Sequence, residues 1–140
     1  MATKSMAFCE VGSLIVVVEP SRPPTDQDWD ALLQLLRQKL AQGCAGALVV
    51  TAGGGPDAKQ RKAARGILGD TPLPVAVVSD AAGVRGIVTA FSWFNPLFRT
   101  FGHDGGAGVQ EALKYLRVEA GLAARVLLKV TAMQREIGAT

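Results

Sequence analysis

Few residues in this chain have both the type and the spacing for chemistry, and most gather where an apolar run stops at three glycines. Gly46-Ala-Leu-Val-Val-Thr51 leads into Ala52-Gly53-Gly54-Gly55-Pro56-Asp57, and a basic stretch containing Lys59 and Lys62 follows. Consecutive glycines lose much conformational entropy on folding, so they mark a tight turn or a close backbone approach. A helix opening at Pro56 would point backbone N–H groups at this loop, and Lys59 and Lys62 would add positive charge. That is, in principle, a site for a phosphate or another acidic ligand. The same pattern equally suits a structural turn or a loop that touches a protein partner. No Gly-Lys-Ser/Thr and no GxGxxG occurs at this junction, which argues against P-loop and dinucleotide chemistry.

Thr51, Ser79 and Asp80 fall at the carboxyl ends of two apolar runs, where open α/β sheets hold ligands. Asp80 reads as a functional acid or as the N-cap of a helix starting near residue 81. His103 is the single histidine, and a catalytic base needs a positioned partner, which adjacent Asp104 in a glycine-rich loop does not provide. One histidine with Cys9 and Cys44 lacks the spacing of a metal site. No catalytic residue, metal or cofactor is therefore expected. Phe91, Trp93, Phe94, Phe98 and Phe101 cluster, either as core or as an apolar groove for a lipid-like ligand or a partner.

The elements that must position these residues follow from periodicity. Residues 5–10 and 14–19 flank Val11-Gly12-Ser13 as a hairpin. Thr25 is a suitable N-cap with Asp28 in the capping-box position, and Trp29, Leu32, Leu33, Leu36 and Leu40 predict an amphipathic helix over 26–42, closed by Gly43. A strand over 47–51, a helix over 56–68 and a strand over 75–79 come next. Then follow a helix over 82–94, a short edge strand over 97–101 and helices over 107–117 and 119–137. The last carries a narrow stripe, Leu122, Val126, Val130, Met133 and Ile137, suited to packing on its own sheet or to pairing with a second copy. The order ββαβαβαβα plus a C-terminal helix, with continuously apolar strands, predicts an α/β fold around a largely parallel, helix-covered sheet.

At 140 residues and 49% hydrophobic content the chain can bury a proper core. A net charge of +3 is too small and too scattered to favour a nucleic-acid partner. The cysteines read as free, buried thiols of a reducing compartment. Neither a leader peptide nor a membrane-spanning run is apparent, so a cytoplasmic protein is expected.

With these elements in order, the chain resembles the STAS domain family, the fold of bacterial anti-anti-sigma factors (anti-sigma factor antagonists). The likeness is to the SpoIIAA-like, STAS/SEC14 branch. It covers roughly residues 5–118 and rests locally on Pro74–Asp80, Val84–Pro96 and Arg99-Thr-Phe101. The resemblance implies a STAS-like domain over 1–118, with residues 119–140 as a helix packed on it or at a homodimer interface. It implies a non-enzymatic regulatory module that binds a protein partner through the 51–65 surface. STAS regulators carry Asp-Ser-Ser/Thr-Gly there, and a serine at the helix N-terminus is phosphorylated. Here Thr51 is the only hydroxyl and lies before the glycines, so recognition without the usual phospho-switch is expected. SEC14-type relatives are lipid-associated, which leaves an alternative: a binder of a small lipid-like or anionic ligand, with peripheral lipid contact.

Overall fold

The computed structural model describes residues 5–80 and 97–138. Within them the chain forms β1 (Ala7–Val11), β2 (Leu14–Glu19), α1 (Asp26–Gln42), β3 (Gly46–Thr51), α2 (Ala58–Leu68), β4 (Val75–Val78) and β5 (Phe98–Phe101). Helices α3 (Ala107–Tyr115) and α4 (Ala120–Glu136) complete the order. This is an α/β fold. The helix expected over 82–94 lies outside the described residues, as do Phe91, Trp93 and Phe94.

The five strands form one mixed sheet in the order β1-β2-β3-β4-β5. The β1–β2 hairpin is antiparallel and turns through Gly12 and Ser13, with Gly12 at φ +60°. All other pairings are parallel, from β2 against β3 to β4 against β5. Parallel neighbours require crossovers, and successive right-handed crossovers in one direction put their helices on one face. Accordingly α1 and α2 bury Trp29, Leu32, Leu33, Ala64 and Leu68 against Ile15, Val17, Ala47, Val75 and Val77. On the opposite face α3 and α4 cover Val16, Val18, Leu48, Val50, Ala76 and Val78. Two covered faces explain why β2, β3 and β4 read as unbroken apolar runs.

Local chemistry sets the boundaries. Thr25 caps α1 by accepting the Asp28 N–H. The Asp28 carboxylate accepts instead from the Ser5 N–H and hydroxyl, at 2.8 and 2.6 Å, which ties the N-terminal segment to α1. Gly43 closes α1 at φ +98°. Lys39 is buried on α1, where its Nζ donates to the Gly12 carbonyl at 3.0 Å and pairs with Glu10 at 3.0 Å. The stripe of the last helix packs on β1 and β2 of its own sheet, with Val126, Val130, Met133 and Ile137 buried.

Two expectations are corrected. Helix α2 starts at Ala58 rather than Pro56, because the Asp57 carboxylate caps it and holds Asp57 itself in an extended conformation. The thiols of Cys9 and Cys44 are free but only half-buried, since Cys9 lies on the edge strand β1 and Cys44 in the loop between α1 and β3. Burial still raises both thiols above the ordinary cysteine value.

Candidate functional site

The carboxyl ends of β2 and β3 lie side by side, with Glu19 in register with Thr51. Alternation along β2 turns Ile15, Val17 and Glu19 toward α1 and α2, and along β3 it turns Ala47, Val49 and Thr51 the same way. The glycine loop closes over this edge. Thr51 is buried, and its hydroxyl donates to the Gly54 carbonyl at 2.7 Å while accepting the Gly53 N–H at 3.1 Å. The Ala52 and Gly54 N–H groups donate to the Glu19 and Pro20 carbonyls, at 3.0 and 2.9 Å. Gly54 lies so close to the 20–22 segment that a Cβ would run into the Arg22 and Pro20 carbonyl oxygens. Glycine is required at that position by contact, not by backbone angle.

The start of α2 is closed in the same self-sufficient way. Asp57 and Gln60 form a reciprocal capping box, with the Gln60 N–H to Asp57 Oδ1 at 2.8 Å and the Asp57 N–H to Gln60 Oε1 at 3.0 Å. A carboxylate of the chain itself therefore meets the positive end of α2, and three loop amides are bonded internally. That is the geometry of a braced turn, in which the Ala52, Gly53 and Gly54 N–H groups are spent within the chain. Gln60 also donates to the Pro24 carbonyl and Asp26 Oδ1, both at 3.0 Å, and its own carbonyl accepts the buried Trp29 indole N–H at 2.9 Å. Lys59 and Lys62 point outward on α2; Lys59 makes only an exposed 3.7 Å pair with Asp26, which contributes little.

Ser79 is buried past the end of β4, and exposed Asp80 accepts the His103 N–H at 2.9 Å. The structure thus gathers Thr51, Gly53, Gly54, Gly55 and Asp57 in one loop and places Lys59 and Lys62 on the adjoining helix face. Asp80 joins the loop after β5 instead. The cap expected of Asp80 at residue 81 lies outside the described residues. The described aromatics divide: Phe98 faces α1 and α2, whereas Phe101 stacks obliquely on Tyr115 at 6.0 Å across the other face. Among the described residues no group of three histidine, cysteine or carboxylate side chains could hold a metal ion. No described helix is long and apolar enough to cross a membrane.

Beneath the loop, between the sheet and helices α1 and α2, lies a cavity of about 130 Å³. Ile15, Val17, Trp29, Leu33 and Val77 contribute apolar walls, and Glu19 stands at its strand-end side. Glu19 is 4% exposed, and burial raises its carboxyl to about 8. Sequence reasoning read this residue only as a strand end. The available signal was an acid closing the apolar run Leu14–Val18 on the same face as Ile15 and Val17.

Comparison with known proteins gives no family model, curated protein or solved structure that matches the chain.

Proposed function

We propose that this protein is a non-enzymatic, STAS-like regulatory module that engages an acidic protein partner through the 51–57 loop and the outward face of α2. The observation that carries the reading is the bracing of that loop. The inward bonds of Thr51, the tight fit of Gly54 and the Asp57–Gln60 box give it a fixed shape, and a fixed shape reduces the entropy lost on association. Lys59 and Lys62 supply exposed positive charge beside it. The Thr51 hydroxyl is enclosed and already used in two hydrogen bonds, which supports recognition without phosphorylation of the loop.

Affinity capture from native lysate, comparing wild type with the Lys59→Glu/Lys62→Glu double variant, tests this. A partner with an acidic surface should be recovered with wild type, and its recovery should fall at least about tenfold with the variant and with added salt. Equal recovery by a variant with native circular dichroism overturns the reading.

A further inference from the structure

Glu19 is a buried acid, and among the described residues no hydrogen bond or ion pair reaches its carboxyl. A polar atom sealed away in that state costs roughly 1–3 kcal/mol. Glu19 lines open space at the carboxyl end of β2. The α1/α2-facing side of β2 puts that space in the 130 Å³ cavity. The other polar side chains of the cavity wall are already satisfied: the Trp29 indole N–H donates to the Gln60 carbonyl, and the Thr51 hydroxyl donates to the Gly54 carbonyl. Glu19 is therefore the group with hydrogen-bonding capacity left to offer.

We propose that this cavity binds a small, uncharged, largely apolar molecule of about one ring, held by a single carbonyl oxygen that accepts a hydrogen bond from the Glu19 carboxyl. The size follows from volume, because a dry apolar cavity of about 150 Å³ takes up benzene. The donor follows from burial, which keeps the carboxyl protonated near neutral pH and so supplies an O–H. A ligand carboxylate brings no proton to share and would have to be desolvated among the apolar walls, and a pure hydrocarbon would leave Glu19 unsatisfied. The site is separate from the outward face of α2 and does not rest on the partner reading.

The probe is cyclohexanone, with methylenecyclohexane as the isostere that lacks the oxygen. Each is titrated into the full chain and followed through the methyl NMR signals of Ile15 and Val17. Saturable binding of cyclohexanone is expected. It should weaken about 5- to 10-fold in Glu19→Leu, persist within about threefold in Glu19→Gln, and leave methylenecyclohexane affinity undiminished in both. No saturable perturbation of Ile15 and Val17 in wild type overturns the site. Equal cyclohexanone affinity in Glu19→Leu overturns the role of Glu19. Should Glu19→Leu fail to fold, the carbonyl ¹³C shift of wild-type-bound cyclohexanone decides: a hydrogen-bonded value supports the proposal, and a hydrocarbon-like value overturns it.

Discussion

At the scale of single residues, the decisive contrast at this edge lies between Thr51 and Glu19, which sit side by side with different hydrogen-bond balances. Thr51 is satisfied by its own loop, whereas burial pushes the Glu19 carboxyl up to about 8 with no partner for it among the described residues. That shift has a definite sign. Below the ordinary glutamate range, folded and unfolded chains both hold the proton and Glu19 exacts no ionisation penalty. Between there and about pH 8 the unfolded chain releases the proton while the folded chain keeps it, so stability falls as pH rises, by roughly 1.4 kcal/mol per unit. His103 lines a second hollow, of about 160 Å³, shared with Glu19 and Gln134. Replacing Glu19 by Gln should remove the penalty. Urea denaturation at pH 5 and pH 8 checks this: the variant should gain on wild type by a few kcal/mol between the two, and parallel curves would contradict it. The sequence carried only the faint signal of an acid closing an apolar run, because an acid at a strand end is ordinarily a solvated one. Its enclosure comes from the loop and helices folded around it.

At the scale of elements, most boundaries could be read directly. Thr25 and Gly43 delimit α1 as their chemistry requires, and Gly69 follows α2. The start of α2 was misread because Pro56 suits a first helical turn, while the true signal was Asp57 followed three residues later by Gln60. That glutamine also joins α2 to α1 through the Pro24 carbonyl, Asp26 and the Trp29 indole. Gln60→Ala should therefore cost more than a surface cap, about 2–3 kcal/mol, because it strands the buried Pro24 carbonyl and releases Asp26 as well as opening the box, while the Trp29 indole keeps its bond to the residue-60 backbone carbonyl. Thermal unfolding measures the total. A loss no larger than that of Asp57→Ala would show that the inter-helix bonds contribute nothing. The glycine loop was legible as a turn, but its bracing depended on where the Pro20–Arg22 segment passes.

At the scale of the whole molecule, the α/β class and the covered sheet follow from alternating helical and apolar segments, whereas the placement of α4 could not be derived from its narrow stripe. It lies across β1 and β2, where Val126 and Val130 meet the outer face of the hairpin. A chain truncated after Val118 should lose cooperative unfolding and bind a hydrophobic dye, because Leu14, Val16 and Val18 would be uncovered. Retention of a sharp thermal transition would show that residues 7–118 fold without this helix. The strand order adds a consequence in time. Each strand pairs with its predecessor, so the sheet can grow in the direction of synthesis. The first hairpin's far face nonetheless waits for a helix about a hundred residues downstream. During translation it stays greasy and unsheltered until residues 120–136 have emerged, and that interval is when the hairpin is most exposed to aggregation and most in need of a chaperone.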